Sequence, residues 1–395
     1  MTRVFIIGYY GLGNIGDEVI LDGIIAGVRK YIPDAEFSVI SNNPSETRAL
    51  HCVESVRQSS KQPLGKLIRN SLFGGDLTNI RREILSSDVV VLGGGSLLQD
   101  LHVYYLPIFY SLLKYAQLHS KITMIYGIGA GPITTSFGKR LTEKVLNKVD
   151  IVTVRDQMSY DVLSSCNVKD VVKTADPAFS VFSDLPENKY NINSHSTRSK
   201  NTFSVTAYNY LQDSDINRNN ISKSKESLIS KRKSFALLCD DIVETYDAEI
   251  LFVPTVQSDL EGYQQISEMM SSSSSIASYS PDYRVSYNAI SSSKLLIGMR
   301  LHSQILATMA GIPIVPISYC GKVKSYLKEI QLEDYYLDVE KLSTSEFRNK
   351  LIQNVGFTLS SYSSSICNIC DAREKLCLSS LQSAELLSKV MEDRK

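Results

Sequence analysis

The sequence has no surplus of charge of either sign. Lys plus Arg total 42 and Asp plus Glu total 42, for a formal net charge of zero. A protein that grips duplex nucleic acid through its backbone normally carries a basic surplus, so nucleic acid is not an expected partner. Long apolar runs are also lacking. No stretch approaches the ~18–20 residues that a membrane span needs. The opening Met-Thr-Arg-Val-Phe-Ile-Ile-Gly reads directly as a buried strand and not as a secretory signal. A cytoplasmic location is therefore expected. Cysteine is sparse and odd in number, seven in 395 residues, which is the usage of reduced thiols and not of a disulfide framework. Cys367-x-x-Cys370 with Cys377 would make at most half a zinc site. No second pair and no nearby His completes four ligands, so no metal is expected.

What is present is an ordinary soluble composition. Hydrophobic residues at 43% and charged residues at 21% argue against global disorder. A length of 395 residues exceeds what one core usually holds and predicts two domains. In the first half, apolar runs alternate with helical stretches. Arg3–Gly8, Phe37–Ser41, Asp88–Leu92, Ile122–Tyr126, Asp150–Val154 and Asp170–Lys173 read as strands, and Asp17–Tyr31 as an amphipathic helix. Runs such as Val-Val-Val-Leu suit parallel strands covered on both faces. Pro186–Asn201 is polar and turn-rich and reads as a linker. A second alternating series follows, with strands at Phe203–Ala207, Glu249–Val253, Leu295–Ile297 and Ile314–Pro316. The serine run Ser271–Ser275 reads as a surface loop. The expected fold is α/β, with two doubly wound Rossmann-like domains facing a cleft. Residues 1–185 form one, 186–201 the linker, 202–345 the other, and 346–395 a C-terminal helical segment.

Three glycine loops follow buried strands of the first domain. The first, Gly8-Tyr9-Tyr10-Gly11-Leu12-Gly13-Asn14-Ile15-Gly16-Asp17-Glu18, satisfies a literal G-x-G-x-x-G. Dinucleotide binding is disfavoured by three features. The glycines come late after the strand, and Ser41-Asn42-Asn43 supplies no carboxylate for a ribose. Asp17 and Glu18 also occupy the helix start where a pyrophosphate would sit. The competing reading of Asp17 is an ordinary helix-start carboxylate. The other loops are Gly93-Gly94-Gly95-Ser96-Leu97-Leu98-Gln99-Asp100 and Gly127-Ile128-Gly129-Ala130-Gly131-Pro132. Consecutive glycines let backbone N–H groups approach a ligand. One loop is weak evidence; three at one sheet edge are stronger.

Charged residues gather at other strand ends. Arg155 ends one strand, Asp176 lies just past the next, and Lys322 and Lys324 follow Ile314–Pro316. Of five histidines, four have no chemical company and read as surface or loop residues. His302 differs, because Gly298-Met299-Arg300-Leu301-His302 places Arg and His together at a loop-to-helix junction. An Arg, a His and a helix N-terminus make an anion site. For each of these charges alone, a solvated side chain is the bland alternative.

Taken in order, G-Y-Y-G-L-G-N-I-G-D-E, G-G-G-S-L-L-Q-D, Y-G-I-G-A-G-P, V-R-D-x-x-S, A-D-P-A-F, G-M-R-L-H and A-T-M-A-G-I-P resemble the polysaccharide pyruvyl transferase family from Gly8 to about Lys324. The resemblance implies a fold similar to two-domain GT-B glycosyltransferases. It also implies transfer of pyruvate from phosphoenolpyruvate, a co-substrate and not a cofactor, to a cell-surface polysaccharide or lipid-linked sugar as a ketal. On that footing Arg155, Arg300 and Lys322, with Gly94, Gly95 and Ser96, are expected at the donor. Asn14, Asp17 and Asp100 are expected at the acceptor. His302 is expected as general acid and Asp17 as base or orienting group, roles that are interchangeable here. Two rival classes stand beside this one: a nucleotide-sugar glycosyltransferase on the same fold, and a non-catalytic sugar-phosphate binding protein. Finally, Arg57–Phe73 carries four basic residues and no acidic one, with Leu64, Leu67, Ile68 and Leu72 at helical spacing. A peripheral contact with the inner membrane leaflet is one expectation for it, and an ordinary helix packed on the sheet is the other.

Overall fold

The computed structural model describes residues 1–57, 76–101, 105–182, 201–207 and 221–394. The chain divides into two compact units. Met1–Asp184 with Lys375–Lys395 form the first, and Leu185–Glu374 the second.

In the first unit the strands are β1 (Thr2–Tyr10), β2 (Ala35–Ser41), β3 (Glu54–Arg57), β4 (Val89–Gly93), β5 (Ile122–Ile128), β6 (Ile151–Val154) and β7 (Val171–Lys173). The helices between them are α1 (Ile15–Tyr31), α2 (Pro44–His51), α3 (Asp76–Ser86), α4 (Tyr105–Leu118), α5 (Ser136–Leu146) and α6 (Gln157–Ser165). Every ladder is parallel, in the order β3-β2-β1-β4-β5-β6-β7. This is the doubly wound order, and its direction reverses between β1 and β4. The continuous apolar runs are explained by burial on both faces: all of β4 and β5 is buried.

Helix α1 shows why these residues form this element. Asn14 is its N-cap and accepts the Gly16 N–H, Asp17 and Glu18 lie in the first turn, and Arg29 and Lys30 lie in the last. Its buried face carries Ile15, Val19, Ile20, Ile24 and Val28. Gly23 has a packing reason. A Cβ there would lie 1.9 Å from the Pro177 carbonyl oxygen, so the 3-10 turn Pro177–Phe182 can press directly on the helix.

The second unit repeats the plan. Its strands are β8 (Asn201–Thr206), β9 (Ala248–Phe252), β10 (Ser274–Ile276), β11 (Leu295–Gly298), β12 (Ile314–Ser318) and β13 (Leu337–Asp338). Its helices are α7 (Ile221–Tyr246), α8 (Asp259–Met269), α9 (Tyr283–Ser291), α10 (Leu301–Ala310), α11 (Gly321–Glu329), α12 (Ser345–Ser360) and α13 (Tyr362–Asp393). The parallel order β10-β9-β8-β11-β12-β13 again reverses beside its first strand, between β8 and β11. The last part of α13, from Lys375, belongs to the first unit, where Ser380 Oγ meets Ser180 Oγ at 2.8 Å and Ser383 Oγ meets Thr153 Oγ1 at 2.9 Å.

Two expectations need correction. The serine run is not wholly a loop, since Ser274–Ile276 pairs with Ile250–Phe252 as an edge strand. Half-exposed serines are acceptable there because backbone pairing, and not an apolar face, holds the strand. Asn201, read as the end of the linker, already begins β8; residues 186–200 lie outside the described residues. Of the basic amphipathic stretch, Arg57 closes β3 and the remainder likewise lies outside them. Among the described residues no helix is long and apolar enough to cross a membrane.

Candidate functional site

Each sheet presents polar side chains at the carboxyl ends of its strands, at the point where strand order reverses. In the first unit these ends belong to β1 and β4. Tyr10, the last residue of β1, donates its hydroxyl proton to the Gly93 carbonyl at 2.8 Å, which pins the two strand ends together. Burial, with the nearby charges of Asp17 and Glu18 adding to it, raises the Tyr10 phenol well above its ordinary value, so it stays a neutral donor. The chain then turns through Gly11 with φ +69°. A Cβ at Gly11 would sit 2.2 Å from Ser41 Oγ and 2.6 Å from Asn43 N, so only glycine passes beside the end of β2.

This turn delivers Asn14 and Asp17. Asn14 Oδ1 accepts the Gly16 N–H at 3.1 Å, and Asn14 Nδ2 donates to Asp17 Oδ2 at 2.8 Å. Asp17 Oδ1 lies 3.0 Å from where a Gly95 Cβ would be, so Asn14, Asp17 and Gly95 converge. The second and third loops are joined by Gly129 N–H to Gly95 carbonyl at 2.9 Å and Gly131 N–H to Leu98 carbonyl at 2.7 Å.

Arg155 lies beneath these loops with a side chain 4% exposed. Its Nη1 donates to Asp176 Oδ2 at 2.8 Å, its Nε faces Asp156 Oδ2 at 3.5 Å, and its Nη2 donates to Ser96 Oγ at 3.3 Å. Burial alone would lower its pKa, but the two carboxylates raise it, so the guanidinium is held charged. It ties β6 to the loops after β4 and β7, and Ser96 is the expected donor-side residue it reaches. Asp100 is employed locally. Its carboxylate accepts the N–H groups of Thr134 and Thr135 at 2.9 and 2.7 Å and both of their hydroxyls. Partial burial would raise its pKa, but these hydrogen bonds outweigh that and lower it.

One histidine read as a surface or loop residue is neither. His51, the last residue of α2, is buried, with Nε2 2.8 Å from Glu18 Oε2 and Nδ1 2.5 Å from Asp22 Oδ1. Both partners lie on α1, and no local sequence pattern links them to His51.

In the second unit the corresponding ends belong to β8 and β11. Arg300 is the N-cap residue of α10, and its side chain reaches back across the reversal point. Nε donates to the Ala207 carbonyl at 3.3 Å and Nη2 to Asp259 Oδ1 at 2.6 Å. Asp259 is fully buried, and its other oxygen accepts Thr255 N–H, Thr255 Oγ1–H and Val256 N–H at 2.8, 2.9 and 3.1 Å. Ser303 donates to the Arg300 carbonyl and pairs with Thr206 Oγ1, both at 2.7 Å, fastening the first turn of α10 to β8. His302 stands half-buried in that same first turn, two residues after the N-cap Arg300. Lys322 lies one crossover further, half-buried in the first turn of α11 after β12. An Arg held from behind by a buried carboxylate, at a helix start whose first turn also carries an imidazole, suits a small anion. Sequence reasoning missed Asp259, because its 41-residue separation from Arg300 leaves no motif. Cys367, Cys370 and Cys377 are free thiols, and among the described residues no His/Cys/Asp/Glu group is placed to hold a metal ion.

A family model described as polysaccharide pyruvyl transferase matches residues 14–321. The amylovoran biosynthesis protein AmsJ of Erwinia amylovora is 24% identical over 394 residues, an alignment covering 86% of this chain and 89% of AmsJ. Among solved structures, the UDP-GlcNAc 2-epimerase of Methanocaldococcus jannaschii aligns with a TM-score of 0.62 at 12% identity, covering 98% of this chain and 100% of that one. Anabaena Alr3699/HepE in complex with UDP aligns with a TM-score of 0.57 at 9% identity, over 100% of both chains. At such identities the likeness shows the fold alone, two parallel α/β sheets with flanking helices of the GT-B type.

Proposed function

The chain belongs to the polysaccharide pyruvyl transferase family, and from that premise we propose that it moves pyruvate from phosphoenolpyruvate onto two hydroxyls of a sugar, forming a ketal. Its relationship to an amylovoran biosynthesis protein supports a role in polysaccharide modification. The observation that carries the finer reading is Arg300, fixed by buried Asp259 at the start of α10, whose first turn also holds His302. Phosphoenolpyruvate has a phosphate and a carboxylate on a small frame, which a fixed guanidinium and helix N–H groups match. Lys322, in the first turn of α11 of the same unit, is assigned to the donor with Arg300; in the first unit, Arg155, Gly94, Gly95 and Ser96 keep the donor-side assignment that the family resemblance implies. In the reaction, His302 as imidazolium delivers a proton to the methylene carbon, and positive charge develops at the adjacent carbon. A sugar hydroxyl adds to that carbon, the bond to the phosphate oxygen breaks, and inorganic phosphate departs. The second hydroxyl then adds to the carbon that the phosphate has left and closes the ring, and its proton returns to the neutral His302 imidazole. Asp17, oriented by Asn14, accepts a hydroxyl proton or fixes the sugar.

Phosphate release from phosphoenolpyruvate across a panel of lipid-linked and aryl-linked sugars, with the product identified by mass and NMR, is the test. The expected result is acceptor-dependent phosphate release with a ketal-linked pyruvate in the product. A second reading draws on the UDP-bound structural neighbour. If phosphoenolpyruvate is ignored and a UDP-sugar is consumed, the enzyme is a glycosyltransferase. A lipid-linked acceptor would also bring the enzyme to the inner leaflet, for which the basic stretch after Arg57 is the assigned segment.

A further inference from the structure

We infer that His51, together with Glu18 and Asp22, is a positioning group for the first glycine loop, fixing the Gly11 amide and through it the segment that presents Asn14 and Asp17. The inference rests on the reading that this loop faces the sugar acceptor. A continuous chain of contacts carries it. Asp22 Oδ1 is 2.5 Å from His51 Nδ1, His51 Nε2 is 2.8 Å from Glu18 Oε2, and Glu18 Oε1 accepts the Gly11 N–H at 2.9 Å. Both ring nitrogens face carboxylate oxygens, and only the imidazolium can donate to both. Burial by itself would lower the pKa of this ring. The hydrogen bonds to Asp22 and Glu18 outweigh burial and raise it from 6.5 to about 9.

A buried ion cluster is a poor device for stability, because well-packed apolar side chains often serve as well or better. What the cluster does supply is direction. Glu18 sits in the first turn of α1 and His51 at the end of α2, so together they tie the β1–α1 turn to the β2–α2 unit. The Gly11 turn is thereby held by Glu18 on one side. On the other side lies the end of β2, where Asn42 N–H donates to the Tyr10 carbonyl at 3.0 Å and Ser41 Oγ accepts the Asn43 N–H at 3.0 Å. With φ +69° at Gly11 and no Cβ to restrict it, the turn depends on these contacts for its conformation. His51 touches no substrate in this scheme; it acts through Glu18.

The test is amide hydrogen exchange on the full chain for wild type, His51→Gln, Glu18→Ala and Glu18→Gln, alongside phosphoenolpyruvate-dependent phosphate release. In His51→Gln and Glu18→Ala, exchange across Gly11–Asp17 rises about tenfold or more, while β4 stays within about twofold of wild type. Glu18→Gln keeps an acceptor for the Gly11 N–H and lets a neutral His51 accept from its amide, so it recovers protection relative to Glu18→Ala. With the loop displaced, kcat/KM falls by up to about 10²-fold in the two unprotected variants. Should His51→Gln not fold, Glu18→Ala carries the test, since it leaves the His51–Asp22 pair in place. Unchanged exchange at Gly11–Asp17 in the folded variants overturns the inference, as does a rise shared equally by β4 and β5. If the loop loses protection but wild type never turns over phosphoenolpyruvate, the positioning role stands and the pyruvyl-transfer reading fails.

Discussion

Replacing Arg155 and Arg300 by alanine in turn separates a cation that holds loops together from one that we propose holds a ligand. Arg155 and its two carboxylate partners are each less than one-tenth exposed. Removing it leaves Asp176 and Asp156 buried without their counter-charge, with only neutral donors such as the Ala178 and Ser159 N–H groups on them, a loss of about 3–5 kcal/mol. For a domain of this size that lowers Tm by roughly 6–20 °C. Arg300 differs on both counts. Its side chain is 14% exposed, and Asp259 keeps three hydrogen-bond donors after the guanidinium is gone. Arg300→Ala should therefore stay folded with a smaller loss of stability. Its affinity for phosphoenolpyruvate should fall by about 2–5 kcal/mol, the typical cost of truncating a desolvated charge pair. The chain has no tryptophan, so unfolding is followed by calorimetry or circular dichroism, and donor affinity by titration calorimetry. Arg155→Ala is also expected to bind donor more weakly, through disordering of Ser96. Wild-type affinity in Arg300→Ala would remove that residue from the donor site. Wild-type stability in Arg155→Ala would show that the buried pairing is not the anchor described above.

His302→Gln should fold normally and lose about 10²–10⁴-fold in the chemical step at saturating donor; an unfolded variant would make His302 a structural residue. His51 has a folded pKa raised from 6.5 to about 9, so its contribution is fully present below about pH 6.5 and is lost as pH rises through about 9. For a side chain 1% exposed that is about 3 kcal/mol, and the gap in unfolding free energy between wild type and His51→Gln should shrink by that amount between about pH 6 and pH 10. A gap independent of pH refutes it; Tyr10, raised well above 10.0, does not titrate in this window. Gly23→Ala forces a methyl group against the Pro177 carbonyl and should destabilise by about 1–3 kcal/mol in urea titrations, an effect absent if the 3-10 turn simply moves away. Vesicles containing anionic lipid should co-sediment the wild-type chain, and Glu at Lys61, Lys66 and Arg69 should abolish this; binding that survives the reversal rules out the electrostatic contact.

Much of the fold was legible because parallel strands covered on both faces write long apolar runs. β4, β5 and β6 were found within a residue or two of their ends for that reason. β3, β10 and β13 were not. They are short, partly exposed edge or near-edge strands whose existence depends on a neighbouring backbone and not on their own side chains. The glycine turns were visible because positive φ at Gly11, Gly94 and Gly95 leaves a compositional mark. Partners acting at a distance leave none. Asp259 behind Arg300 and His51 behind Glu18 are single residues among many charges, joined only when the chain brings their helices together.

The membership of Lys375–Lys395 in the first unit has a consequence for biosynthesis. That unit is discontinuous: its sheet is made before the second unit, while its last helical piece leaves the ribosome after the whole second unit. Until then Thr153, Thr174 and Ser180, all buried in the finished protein, lack the hydroxyls of Ser380 and Ser383 that they meet. The nascent first unit is therefore held short of its final packing, and the second unit has the chance to fold before it. A stalled or truncated chain would carry two complete-looking sheets and one unsealed core, the kind of surface on which chaperones and proteases act.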